Sequence, residues 1–222
     1  MKSSRSELMK ILEVKSLNIP DVKVIRYQRF TDNRGYFAEH FRKSDFAKGN
    51  EMDFFQGKDF LQANESFSKK NVARGLHFQW NPYMGKLVRT LQGRMVDLVL
   101  DIRKGSPTYR KIVAYDMPAD PERSYDEWIW IPVGFAHGNF FTQESVIEYF
   151  CTGDYSPGCE AGISPLAPDL DWSSCDSKLK AEFDELISQG LVISDKDKAG
   201  LTFSAWEKDE RSENFIYPGI TR

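Results

Sequence analysis

The chain has 222 residues, of which 41% are hydrophobic and 14% aromatic, and its formal net charge is −3. This is the composition of a folded globular protein that can bury a core. It lacks the basic footprint of a nucleic-acid-binding protein. Its apolar stretches are too short to span a membrane, and residues 1–12 lack the pattern of a secretory signal. Three cysteines without metal-site spacing predict reduced thiols in a cytoplasmic protein.

The first part of the chain predicts an extension followed by strands. Residues 1–20 are expected to form an N-terminal extension, with a short helix or loose arm over 1–18 whose apolar side carries Leu8, Ile11 and Leu12. Alternation over 22–27 indicates a strand, residues 32–35 form a turn, and 36–41 are expected to form a further strand.

The clearest β signal lies in residues 86–103, where Gln92-Gly93 joins two strand-like runs and predicts a tight hairpin. In the second run one face is wholly apolar and the other carries two carboxylates, Asp97 and Asp101. A closed sheet has its core on one side, so these carboxylates are expected to point either to solvent or into a wet cavity.

Later segments complete a mainly β pattern. Strands are predicted at 111–117, 127–131 and 145–151, and this frequency favours a sandwich or barrel. Apolar residues recur at helical spacing over 177–189, which predicts a helix against the barrel within an insertion at 173–194. We therefore expect a single domain over 1–222 with a few peripheral helices.

Two short segments, 74–79 and 134–139, hold two of the three histidines, each within two residues of a glycine and at the edge of a strand-like run. Imidazole exchanges protons near neutral pH, so His77 and His137 predict a proton-transfer site. The alternative is that both are structural. Nearby, Arg34 and Arg74 could each bind a diphosphate through parallel donors, or simply be solvated.

A metal centre is not expected. Many cupin-type barrels bind iron or manganese through two histidines one residue apart, but Gly75 and Gln79 stand two residues either side of His77. A three-histidine site would have to recruit His40 from a distant strand. No metal or other cofactor is predicted.

Several motifs, in one order along residues 22–172, together carry a family resemblance. They are the segments 30–39, 62–66, 74–79, 85–89, 101–108 and 130–138. With them the chain resembles the dTDP-4-dehydrorhamnose 3,5-epimerase family, whose members are metal-free jelly-roll barrels of the cupin type.

The resemblance implies a nucleotide-linked 4-keto-6-deoxy sugar as substrate. His77 would remove the proton beside the ketone, and Lys86 would stabilise the resulting enolate. A late aspartate would orient the histidine, with Asp197 the best match and Asp195 the fallback.

The resemblance also implies a set of substrate-binding positions. Phe30 and Phe37 would lie near the base, and His137 would line the sugar pocket. Asp101 could hold His137, or be an exposed or structural carboxylate. The full expected set is Phe30, Arg34, Phe37, Glu39, Gln62, Asn64, Arg74, His137, Phe150 and Tyr155.

One position departs from the family pattern. The catalytic tyrosine of the family stands thirteen residues after the second histidine, which here is Phe150. Tyr149 is adjacent, but adjacent strand residues face opposite sides, so Tyr149 could substitute only if the strand shifted by one residue or carried a bulge. Inversion at one carbon only, C3, is therefore hypothesised; the alternative is that another donor, Tyr155 or water, replaces the tyrosine.

The sequence thus predicts a cytoplasmic, cofactor-free epimerase of nucleotide-linked 4-keto sugars. The resemblance implies a homodimer in which an N-terminal strand joins the sheet of the partner. Three alternatives stay open: a 3,4-ketoisomerase, a metal-dependent oxygenase, and a non-catalytic sugar-nucleotide-binding protein. The base and the sugar are not determined.

Overall fold

The computed structural model describes residues 10–46 and 52–220, and this part of the chain is mainly β, as predicted. One sheet has six strands in the spatial order β1 (Ile11–Ser16), β2 (Lys23–Gln28), β10 (Tyr125–Ile131), β7 (Lys86–Gln92), β12 (Ser145–Cys151) and β5 (Gln62–Ser68). The other has five, in the order β13 (Glu160–Gly162), β6 (Val72–Gln79), β11 (Phe135–Phe141), β8 (Arg94–Asp101) and β9 (Ile112–Pro118). All neighbouring strands within both sheets are antiparallel.

Smaller elements surround the two sheets. A two-stranded hairpin is formed by β3 (Phe30–Asp32) and β4 (Gly35–Phe37). The α-helices are α1 (Lys43–Phe46), α2 (Ser177–Ser188), α3 (Asp195–Lys198) and α4 (Phe203–Lys208), and short 3-10 turns lie at Asp53–Phe55, Trp172–Ser174 and Glu210–Asn214. None of these described helices combines the length and apolar character needed to cross a bilayer.

Hydrophobic side chains cover both faces of each sheet, so the core consists of several layers. Val88 and Ile129 of the six-stranded sheet pack against Val99 of the five-stranded sheet, which makes the jelly-roll interior. The outer face of the five-stranded sheet is covered by C-terminal residues such as Phe183 and Trp206.

This layering changes the interpretation of β8. Its apolar face, with Leu98 and Leu100, packs outward beneath the C-terminal helices. The other face points into the jelly-roll interior, and Asp97 and Asp101 are both fully buried there. The expectation of a core on only one side of this strand was wrong, because the C-terminal segment buries the second side.

Three local predictions need correction. Residues 11–16 form β1 instead of a helix or arm, because they pair with β2, while Leu8 lies outside the described residues. The strand expected over 36–41 ends at Phe37. The hairpin at Gln92-Gly93 is a corner, since β7 and β8 belong to different sheets. Gly93 has φ +79°, and a Cβ there would lie 2.2 Å from the Glu144 carbonyl oxygen.

The predicted C-terminal helix is present as α2, whose first turn is capped by Asp176. The chain then returns to the five-stranded sheet, where Val192 forms a parallel bridge with Val72. Ser194 caps the short helix α3 by accepting a hydrogen bond from the Asp197 amide. The insertion therefore delivers α3 to the side of β6.

Candidate active site

His77 and His137 lie directly opposite each other on the antiparallel strands β6 and β11. Both line a cavity of about 600 Å³. An adjoining cavity of about 300 Å³ shares His77, Lys86 and Tyr149 with the first. The histidines therefore stand within strands, not at strand edges, and their shared face opens into one site.

Two glycines allow the two histidine strands to approach closely. Gly75 has φ +101°, and a Cβ there would lie 2.6 Å from the Gly138 Cα and from the His137 carbonyl oxygen. A Cβ on Gly138 would lie 2.4 Å from the Arg74 carbonyl oxygen. Only residues without a side chain fit at this contact.

His77 is held by Asp197, as the resemblance implied. Nε2 of His77 is 2.6 Å from Oδ1 of Asp197, whose Oδ2 accepts a 3.2 Å hydrogen bond from the Gly75 amide. Burial alone would raise the pKa of Asp197, but the hydrogen bonds from His77, Gly75 and Ser194 hold it below the ordinary value. An ionised Asp197 keeps the proton on Nε2, which leaves the Nδ1 lone pair of His77 available as a base.

Lys86 opens β7 and lines both cavities. Within the described ranges its ammonium has no hydrogen-bond or ion-pair partner. Burial lowers its pKa, although the nearby Cys151, Asp97 and Glu160 act in the opposite direction. A cation in this position can stabilise negative charge that develops in the cavity.

His137 is held by Asp97 and not by Asp101. Its Nε2 is 2.7 Å from Oδ1 of Asp97, and burial lowers its pKa despite that carboxylate. Asp101 instead accepts hydrogen bonds from Arg103, Ser106 and Thr108. The expected role of Asp101 was therefore wrong, because its oxygens are occupied by the loop that follows β8.

Tyr149, and not Phe150, faces the cavities. Tyr149 lines both of them, whereas Phe150 packs outside the jelly roll against Phe41, Phe60 and Trp128. Counting from His137 crosses the turn between β11 and β12, and one residue more or less in a turn exchanges the faces of the following strand. The assignment of Phe150 to the substrate pocket was therefore wrong. Burial raises the pKa of Tyr149.

Four other predicted residues lie at the cavities. Gln62, Asn64 and Tyr155 line the smaller cavity, and Arg74 lines the larger one. The Gln62 amide joins two of them, because it donates to Asn64 Oδ1 at 2.9 Å and accepts from the Tyr155 amide at 3.0 Å. Arg74 is oriented by a 2.9 Å hydrogen bond to Ser68 Oγ.

Glu160 and Lys196 were missed from the sequence. Oε1 of Glu160 accepts from Tyr155 Oη at 3.0 Å and from Lys196 Nζ at 2.9 Å. These contacts connect the loop after β12 to α3, the helix that carries Asp197. The position of Lys196 next to Asp197 in the chain was the one available signal.

The remaining predicted residues, Phe30, Arg34, Phe37 and Glu39, do not reach the cavities of their own chain. The β3–β4 hairpin is exposed along its length, and Phe37 is 68% exposed. Arg34 bonds to Asp32 within the hairpin, and Glu39 pairs with Arg42.

His40 lies away from the other two histidines, where its ring contacts Tyr27 and Trp128. In residues 10–46 and 52–220, no three His, Cys, Asp or Glu side chains converge as metal ligands.

Comparison with known proteins identifies the family. Residues 16–205 match the dTDP-4-dehydrorhamnose 3,5-epimerase family. The chain belongs to this family. It is 37% identical over 196 residues to the dTDP-4-dehydrorhamnose 3,5-epimerase of Shigella flexneri, covering 86% of this chain and 96% of that relative. The family is one of isomerases, so the comparison places this chain among enzymes.

Two further relatives agree with this assignment. The Neisseria gonorrhoeae dTDP-4-dehydrorhamnose 3,5-epimerase is 36% identical over 193 residues, but the match covers 86% of this chain and only 52% of that relative. A crystal structure of a dTDP-6-deoxy-D-glucose-3,5-epimerase from Legionella pneumophila, in complex with dTDP-4-keto-L-rhamnose, superposes with a TM-score of 0.73 at 30% identity. That likeness covers 92% of this chain and 97% of the other.

Proposed function

We propose that this protein epimerises a nucleoside-diphosphate-linked 4-keto-6-deoxy sugar by proton transfer at the carbons beside the ketone. The observation that carries the proposal is that His77, hydrogen-bonded to Asp197, lines the same cavity as Lys86 and Tyr149. A base, an enolate-stabilising cation and a proton donor are the three groups that such chemistry requires.

The steps follow from the side chains. Nδ1 of His77 takes a proton from the carbon next to the ketone, and the electron pair moves to the carbonyl oxygen. Lys86 stabilises the enolate oxygen with its unpaired ammonium. Tyr149 then delivers a proton from another side of the cavity, and the ketone re-forms with inverted configuration at the carbon.

Inversion at both C3 and C5 is the form of the reaction that we propose. The restriction to C3 depended on phenylalanine at the donor position, and Tyr149 supplies a hydroxyl there instead. The relatives named above as 3,5-epimerases support the same choice. Inversion at C3 alone is the competing outcome.

The substrate is held, in this proposal, by basic and amide side chains around the reacting groups. Arg74 and Lys196 line the larger cavity and match the charge of a diphosphate. Gln62, Asn64 and Tyr155 are proposed to contact the sugar and nucleotide from the smaller cavity.

The protein is further proposed to act as a homodimer in the cytoplasm. Phe30, Arg34 and Phe37 match nucleotide-binding positions of the family, yet they stand on a hairpin outside their own cavity. Glu39 matches another such position and lies just after the hairpin, also outside the cavity. A second copy of the chain offers a cavity in which these residues could contact the base and diphosphate. The exposed apolar side chains of the hairpin, which include Phe30 and Phe37, support burial against a partner.

The decisive experiment follows hydrogen exchange at carbon. The dTDP-4-keto-6-deoxy sugar is incubated with the protein in D₂O, and label at C3 and C5 is followed by NMR. Exchange is expected at both carbons and is expected to fall by about 10²–10⁴-fold in His77→Asn. Binding of dTDP without exchange would identify a non-catalytic binding protein, and a carbonyl moved to C3 would identify a ketoisomerase.

A further inference from the structure

Two buried oxygen atoms near His137, on strands β8 and β11, have no hydrogen-bond partner in the described part of the chain. They are Oδ2 of Asp97 and Oδ1 of Asn139. Asp97 is fully buried and Asn139 is 4% exposed. Buried polar atoms of this kind nearly always have a hydrogen-bond partner in folded proteins, so these two unpaired oxygen atoms require an explanation.

The two side chains are neighbours across the sheet. Asn139 on β11 stands directly opposite Asp97 on β8. Side chains of directly opposed residues project from the same face, with Cβ atoms roughly 5 Å apart. Asn139 also lies two residues beyond His137, so it shares the face of that imidazole and lines the same cavity.

A 180° turn of the Asn139 side-chain amide accounts for both unpaired oxygen atoms. The oxygen and nitrogen of an amide exchange places when the group turns by 180°, with almost no change in shape. In that orientation Nδ2 can donate to Asp97, and the carbonyl oxygen leaves its buried position for the cavity side. No hydrogen bond is lost, because the Asn139 side chain makes none with other described residues.

We infer that Asn139 is a positioning residue whose amide donates to Asp97 Oδ2 and so completes a buried chain from Asn139 through Asp97 to His137. Asp97 then has one donor on each oxygen, and Nε2 of His137 carries its proton toward Oδ1. The Nδ1 lone pair of His137 faces the cavity as an acceptor for a hydroxyl group of the sugar. This last role rests on the proposed function.

The test measures the tautomer and the titration midpoint of the His137 imidazole. In ¹⁵N-histidine NMR of the unmodified protein, His137 is expected as the Nε2–H tautomer at neutral pH. In Asn139→Leu, Asp97 loses a donor and attracts the imidazolium more strongly, so the titration midpoint of His137 is expected to rise by about 0.5–1 pH unit. Three other ionisable groups act on this ring, namely Asp97, Lys86 and His77, and all three stay in place in the variant.

Phe141→Leu is the matched control. Phe141 is a fully buried residue of the same strand and face, packed in the jelly-roll interior, so its truncation changes packing without removing a donor. The His137 midpoint is expected to stay unchanged in this variant. An unchanged midpoint in Asn139→Leu, or an equal shift in both variants, would overturn the inference.

A measurement without substitution covers the case in which Asn139→Leu does not fold. The side-chain NH₂ of Asn139 is expected to exchange slowly with solvent, since one proton is bound to a buried carboxylate. Fast exchange of both protons would also overturn the inference. Failure of carbon exchange in the unmodified protein, with these NMR results intact, would refute the proposed function alone.

Discussion

Tyr149 and Phe150 are adjacent on β12 and have opposite environments. Tyr149 lines the site, and Phe150 packs against Phe41, Phe60 and Trp128 on the outside. Since the two side chains point to opposite faces of one sheet, only the first can touch a bound sugar. Substitutions at the two positions are therefore expected to separate chemistry from packing.

Tyr149→Phe is expected to slow inversion by about 10²–10⁴-fold while His77 still exchanges the carbon-bound hydrogen. Label uptake from D₂O and the configuration of the product, followed by NMR, measure the two events separately. The control is Phe150→Leu, which is expected to lower the melting temperature and leave inversion intact. Full inversion in Tyr149→Phe would exclude Tyr149 as the donor.

Lys86 gives the reaction an alkaline limit. Stabilisation of an enolate requires the charged ammonium, and burial lowers the pKa of Lys86 below its ordinary value of 10.5. Activity is therefore expected to fall as pH rises through this lowered pKa, because the cation is lost there. Arginine stays protonated in this range.

The corresponding measurement is the pH dependence of carbon exchange in the unmodified protein and in Lys86→Arg. The variant is expected to be slower, because its guanidinium is larger, and to lose the alkaline fall. The same alkaline fall in Lys86→Arg would assign that limb to another group.

At the scale of elements, the contact between β6 and β11 positions the two histidines. Gly75→Ala would place a methyl group 2.6 Å from the Gly138 Cα, at a left-handed φ of +101°. The expected loss of unfolding free energy is about 3 kcal/mol, from strain and from forced separation of the strands. Exchange activity should fall with it, because His77 moves with β6.

Gly158→Ala separates the two contributions. Gly158 also has a left-handed φ of +86°, but nothing lies within 4 Å of a Cβ built there. Its loss in urea unfolding is expected to be about 1 kcal/mol, from strain alone. Equal losses at both positions would show that the close approach of β6 and β11 contributes nothing.

Elements were predictable where a local signal decides them. Alternation identified much of β8, and the 3.6-residue period identified α2. Contacts that depend on the whole chain were not. The corner at Gly93 looks like a hairpin until the sheets are known, and the C-terminal helices that bury the outer face of β8 lie more than 75 residues later in the sequence.

The site divides in the same way. The family resemblance indicated His77 and Lys86 from ordered motifs and Asp197 as the best match to a late aspartate, and all three line the larger cavity. The partner of His137 depends on a register across two strands, which selects Asp97. The side of the sheet to which Tyr149 points depends on the length of the turn between β11 and β12, and an alternation pattern within the strand does not reveal that length.

At the scale of the whole molecule, the predicted binding residues of one chain fall into two separate regions. Some line the cavity, and others stand on the exposed β3–β4 hairpin. A site completed by two copies can be tested by complementation. His77→Asn lacks the base, and Arg34→Ala lacks a proposed diphosphate contact on the hairpin. In a mixed dimer with sites shared between subunits, one site carries both defects and the other carries neither.

Mixing the two inactive variants, with unfolding and refolding to exchange subunits, is therefore expected to restore activity. Random pairing makes half of the dimers mixed, and half of their sites are intact, so about a quarter of the unmodified activity should return. Two variants that both alter the cavity, His77→Asn and Lys86→Ala, provide the control, since every site in their mixture keeps a defect. If the hairpin instead serves the cavity of its own chain, the first mixture will be as inactive as the second.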